Sequence, residues 1–203
     1  MLKLLEVDIK LKQNDNFNEN ILNSIIVKLN SIYPEIKRIS QDIMAMNDGI
    51  NNRSVFLSRS KITISQNFDI KVDTHNAKYI DDMKKVITCI NNEYKISTGK
   101  LQLRQIYISE SQNKKSDFNH IFIDGIKDMF IAEFGQATIY SFSSQLKNGQ
   151  DKCILNLSKL PKGNYLNSLI SFTNINDKFE LKWIDNQLEF YNKIRSTILK
   201  KLG

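Results

Sequence analysis

The sequence predicts an α+β protein of two related halves, each a mostly antiparallel sheet with helices on one face. Three observations carry this. Short apolar runs of period two alternate with stretches of helical period, and Asn-Gly and Pro-Lys-Gly signals fall at hairpin spacing. The polar stretch Ser109–Asp117 then separates two similar sets of elements, giving halves of 1–110 and 111–203 that are expected to share an interface.

Leu5, Val7, Ile9 and Leu11 alternate with Glu6, Asp8, Lys10 and Lys12, as in a half-buried strand. Asn16 or Asn18 can cap a helix carrying Ile21, Leu22, Ile25, Ile26, Leu29 and Ile32 on one face, with Pro34 as its stop. Ile36–Met46 reads as one strand, and Asn47-Asp48-Gly49 supplies a turn. Val55–Leu57 and Ile62–Val72 read as one bent strand or as a hairpin through Ser58-Arg59-Ser60-Lys61. A second helix aligns Tyr79, Ile80, Met83, Val86, Ile87, Ile90 and Tyr94, and Leu101–Ser109 is a strand. The first half is therefore β-α-β-β-α-β with room for an extra hairpin, the split βαβ or ferredoxin-like order.

In the second half, Ser116 or Asp117 can cap a helix bearing Phe118, Ile121, Phe122, Ile126, Met129, Phe130 and Phe134, ended by Gly135. Ala137–Lys147, Lys152–Leu160 and Tyr165–Thr173 are strands, joined at Asn148-Gly149 and Pro161-Lys162-Gly163. Asp185 or Asn186 can start a last helix with Ile184, Leu188, Tyr191, Ile194, Ile198 and Leu202 inward. The order is α-β-β-β-α.

The closing strand of the first half, KLQLRQIYIS, carries Leu103, Arg104 and Ile106. In this it resembles a large uncharacterised bacterial family of α+β proteins whose first half closes on a strand R-x-G-L-R-Y-I-N-R-I. KITISQNFDIKV, the Tyr79 helix and the late strand LNSLISFTNIN before a final helix extend the likeness over most of the chain. Gln105 departs from it, standing where the family has an aromatic, and Ile108-Ser109 lacks the second basic residue. The resemblance implies architecture alone; it brings no catalytic residues.

Composition is that of a folded domain, with 41% hydrophobic and 25% charged residues. No apolar run approaches the roughly 18–20 residues that span a bilayer, and Met1–Lys12, with acids inside its apolar stretch, does not read as a signal peptide. Cys89 and Cys153 have no CxxC partner and read as reduced core thiols of a cytoplasmic protein. The net charge of +7 is spread thinly, with 16 basic against 13 acidic residues in 1–110 and 13 against 9 in 111–203. A dedicated nucleic-acid binder clusters its charge. The wealth of Ile and Asn fits AT-rich coding sequence of a low-GC bacterium or its phage.

Catalytic and cofactor motifs are missing from the sequence: there is no GxxxxGK[ST], GxGxxG, HExxH or GxSxG. Asp117, His120 and Asp124 recur at helical spacing, and His75 follows Asp69 and Asp73, but each set reads more simply as a solvated flank or turn. Asp81-Asp82 and Lys84-Lys85 read as surface pairs. No cofactor or metal is expected. The reading is a non-catalytic binding or accessory protein, phage- or defence-locus-encoded, that acts through a protein partner or as a homodimer. Phe118, Phe122, Tyr140 and Phe142 are its candidate surface, and open sheet edges invite pairing. The alternative is single-stranded nucleic-acid binding through Lys37, Arg38, Arg53, Arg59, Lys61 and Arg104.

Overall fold

A computed structural model describes residues 2–11, 18–68, 77–96, 99–110, 141–149, 151–159, 165–174 and 180–202. The elements in order are β1 (Leu2–Leu11), α1 (Glu19–Leu29), β2 (Glu35–Ser40), β3 (Ile43–Asp48), β4 (Arg53–Ser58), β5 (Lys61–Asn67) and α2 (Ala77–Tyr94). They continue with β6 (Gly99–Glu110), β7 (Ser141–Asn148), β8 (Asp151–Lys159), β9 (Tyr165–Thr173) and α3 (Leu181–Leu202). All nine described strands form one sheet in the order β2-β3-β4-β5-β1-β6-β9-β8-β7. Every neighbouring pair is antiparallel.

The expectation of one sheet per half gives way to this single sheet. The reason lies at β6, whose edge away from β1 is filled by β9, from Gln102↔Thr173 to Glu110↔Tyr165. Left open, that long strand would present a row of unpaired backbone groups. β1 runs antiparallel to both β5 and β6, so it takes part in no parallel βαβ pair. Two further local readings change. Ile36–Met46 is two strands, because the chain reverses at Gln41-Asp42, where the Asp42 amide donates to Ser40 Oγ (3.3 Å). The last helix starts at Leu181, four residues before Asp185, because the Trp183 indole and the Gln187 amide both donate to the Asp151 carboxylate (2.7 and 2.8 Å). The hairpin alternative for 55–67 is the one realised, with Ser58 Oγ accepting from the Lys61 amide.

Alternation sets the two faces. One apolar row crosses the whole sheet in register: Ile36, Met46, Val55, Ile64, Val7, Leu103, Phe172, Cys153 and Leu146. Beside it runs Met44, Leu57, Ile62, Ile9 and Leu101. The helices lie on this face. α1, capped by Asn18 Oδ1 accepting from the Ile21 amide (3.0 Å), contributes Leu22, Ile25 and Leu29. α2 contributes Met83, Val86, Ile87, Ile90 and Tyr94, and α3 contributes Ile184, Tyr191 and Ile194, as their periods predict. Lys28–Glu93 ties α1 to α2, and Lys84–Asp185 ties α2 to α3. Phe190 of α3 meets Phe172 of β9 edge to face at 6.1 Å. No described helix is long and apolar enough to cross a membrane.

Leu103→Ala, at the centre of the apolar row, is expected to cost about 2–5 kcal/mol in urea unfolding. Ile36→Ala, at the exposed end of the same row, is expected to stay within about 0.5 kcal/mol of wild type when the unfolding is followed at high dilution.

Candidate interaction surfaces

The six basic residues singled out in the sequence do not converge. Alternation puts Arg38 and Arg53 on the helix-covered face, Lys37, Lys61 and Arg104 on the opposite face, and Arg59 in the β4–β5 turn. Five of the six hold carboxylates. Arg38 pairs with Glu19 (2.8 Å), Arg59 with Asp42 (2.7 Å), Lys61 with Asp8 (2.9 Å) and Arg104 with Glu6. Arg53 pairs with Asp48 (2.8 Å) and reaches Asp82 of α2 at 3.9 Å. Its guanidinium also lies 5.6 Å from the centre of the Tyr33 ring.

The Arg53 cluster is an internal fastening. Asp48, 4% exposed, accepts from the Asn51 amide (3.2 Å), the Asn51 side chain (2.7 Å) and Arg53 Nε, which together close the β3–β4 turn. Burial alone would raise the Asp48 carboxyl; the hydrogen bonds from Asn51 and Arg53 outweigh it and hold the group below its usual range. Burial pushes the neighbouring Tyr33 hydroxyl up to about 12. Asp48, Arg53 and Gln66 share one row with Leu5, Gln105, Ile170 and Leu155. Gln105, which departs from the family strand noted above, is thus an inward residue, 2% exposed.

A cleft of about 580 Å³ opens beside α1 and α2, lined by Lys28, Asp81, Lys84, Lys85, Thr88, Cys89 and Asn92. Its cations are committed to carboxylates: Lys28 to Glu93, Lys84 to Asp185, and Lys85 to Asp82 (3.6 Å). The Lys85 pair is the i,i+3 surface contact expected, whereas Lys84 reaches across to α3 instead. Desolvation raises the Cys89 thiol despite the nearby Lys28 ammonium, and burial pushes Cys153 up to about 11. Both sulfurs stay protonated at neutral pH, the wrong state for a nucleophile.

Two features went unseen in the sequence. First, Lys61, Lys10 and Lys100 stand directly opposite one another across β5, β1 and β6, on the face away from the described helices. Like charges in register repel, and among the described residues only Lys61 of the three has a carboxylate partner. The alternation around Ile9 and Leu101 could have put Lys10 and Lys100 on one face, but their register needed the fold. Second, all six residues of β2 are exposed, on both faces of the strand. Ile36 and Ile39 are 40% and 54% exposed, and the strand is one end of the sheet.

Of the aromatic candidates, Phe142 lies on β7 opposite Leu157. Phe118, Phe122 and Tyr140 lie outside the described residues, as do His75 and His120. No model of a known protein family matches the chain, and no curated protein is similar enough to count as a relative.

Because the folded Asp48 carboxyl titrates below the unfolded one, its stabilisation is full above the ordinary carboxylate range and is lost as the pH falls through its own lowered value. Asp48→Asn is therefore expected to cost about 2–3 kcal/mol in urea unfolding at neutral pH. That difference should shrink steadily as the unfolding is repeated toward acid. A gap that stays constant would mean that Asp48 acts by packing alone.

Proposed function

We propose that this chain is a non-catalytic binding protein that engages a protein partner through the free edge of β2. The observation that carries this reading is the exposure of all six β2 residues at the end of a nine-stranded sheet. An edge strand offers unpaired N–H and C=O groups to an incoming strand, and alternate side chains set the choice of partner. Ile36 and Ile39 supply apolar contacts there, with Lys37 and Arg38 between them. The protonated state of both cysteines favours binding over thiol chemistry.

Proline substitution tests this reading. In an antiparallel edge strand successive N–H groups point in opposite directions, so either Ile36→Pro or Lys37→Pro removes an outward donor while sparing the β2–β3 ladder. The variant that keeps wild-type unfolding stability is the informative one. A tagged wild-type chain is expected to retain a partner from a host lysate that this variant does not retain. Equal capture by both would set the β2 reading aside.

The Lys61–Lys10–Lys100 row supports a second reading, in which the sheet face away from the described helices binds the phosphate backbone of a single-stranded nucleic acid. Fluorescence anisotropy with a single-stranded RNA decides it. Binding should weaken steeply with salt and be lost in Lys10→Glu/Lys100→Glu. It should survive Arg53→Ala and Arg59→Ala, whose guanidiniums are already paired. Failure of the wild-type chain to bind at low salt would end this reading.

A further inference from the structure

We infer that the occupant of the β2 edge is a second copy of this chain, joined by antiparallel β2–β2 pairing about a two-fold axis through Ile36. This rests on the β2 reading above and names its partner.

A two-fold axis perpendicular to the sheet sets each residue of β2 opposite one on the same face, and the pairing is self-complementary. The charges then select the register. Centring the axis on Glu35, Lys37 or Arg38 opposes a charge to itself, which is unfavourable. Centring it on Ile36 opposes Ile36 to its counterpart and sets Glu35 against Lys37 of the other copy twice over. Glu35 and Lys37 both lie on the face away from the helices, through their partners Asn47 and Ala45, so the two ion pairs flank the axis on one side. Ile36, opposite Met46, lies on the helix side. The apolar row that starts at Ile36 would then run without interruption through both copies.

The flanking geometry agrees. Pro34, which has no N–H, bounds the ladder on one side, and the register shift between Arg38 and Ser40 bounds it on the other. The ladder is short, and α1 lies beside it. Glu19 of α1 holds Arg38, fixing the start of the helix beside the later part of β2. Val27 lies two turns along, a rise of about 12 Å. Returning from Arg38 to Pro34 along the strand covers about 13 Å. Val27, 72% exposed, therefore lies level with the start of β2, on the side of α1 turned away from the buried Leu22, Ile25 and Leu29. The two Ile36 side chains meet at the axis.

The test is sedimentation equilibrium over a concentration series, with the wild type expected to rise from 23.6 kDa toward twice that mass. Lys37→Glu and Glu35→Lys each replace two attractions by two repulsions. Each should raise the dissociation constant about tenfold or more, with circular dichroism unchanged and, at dilutions where both proteins are monomeric, the urea midpoint unchanged as well. Mixing the two variants restores both ion pairs in a heterodimer, so an equimolar mixture should regain the wild-type association. A wild type that stays at 23.6 kDa at every concentration overturns the proposal. So does a dimer indifferent to Lys37→Glu, or a mixture that fails to associate. A monomeric wild type that still captures a host protein, and loses it on proline substitution, removes the second copy as occupant while leaving the β2 reading standing. Loss of both results removes the two together.

Discussion

Leu2–Leu11 is hydrogen-bonded along both edges, and the rest of the sheet takes its place from that strand. Its inward residues Leu5, Val7 and Ile9 fall in three separate cross-strand rows, so one strand sets the register of its neighbours on each side. A slip of one residue would turn the apolar set outward and bring Glu6 and Asp8 beneath the helices. The chain has strong reason to hold one register. The outward side is fixed as well: Asp8 accepts from Thr63 (2.6 Å) and from Lys61, while Glu6 holds Arg104. Hydrophobic and ionic terms agree on the same alignment.

The helix layer depends on that alignment in turn. α1, α2 and α3 are bound sideways by Lys28–Glu93 and Lys84–Asp185, and downward by the apolar rows and Arg53. Partly exposed ion pairs of this kind add little energy each. Their worth lies in fixing where amphipathic helices of similar apolar stripe come to rest. β2 stands outside this arrangement. It is attached to β3 and to Glu19, but it lies under no described helix stripe and keeps its isoleucines in water.

Much of this was legible in the sequence, and the gaps have physical causes. Period-two alternation marked β1, turn signals bounded β9, and helical period marked α1, α2 and α3, because each of these helices buries one stripe against a single apolar face. The β2–β3 reversal was hidden, since it is made by Ser40, Gln41 and Asp42 without glycine or proline inside a continuous strand-like run. The single sheet was hidden because β6 and β9 are neighbours only in space; nothing local to Gln102 announces Thr173. The same holds for the candidate site. Arg53 and Arg59 looked available because their partners Asp48, Asp82 and Asp42 are brought to them by hairpins and a helix. Lys10 and Lys100, ordinary outward residues in the sequence, became neighbours only through β1–β6 register.

The central position of β1 has a consequence for synthesis. Its segment leaves the ribosome before both of its neighbours, residues 61–67 and residues 99–110. Until these emerge, Leu5, Val7 and Ile9 have no sheet to join, and both backbone edges of the strand are open. The meander of β2 to β5, whose contacts are local, can assemble beforehand and offer β5 as a template. β1 then closes back onto it across a long loop. The order in which the chain is made is therefore not the order in which its sheet can be built, and the nascent protein carries an apolar strand unpaired through the interval.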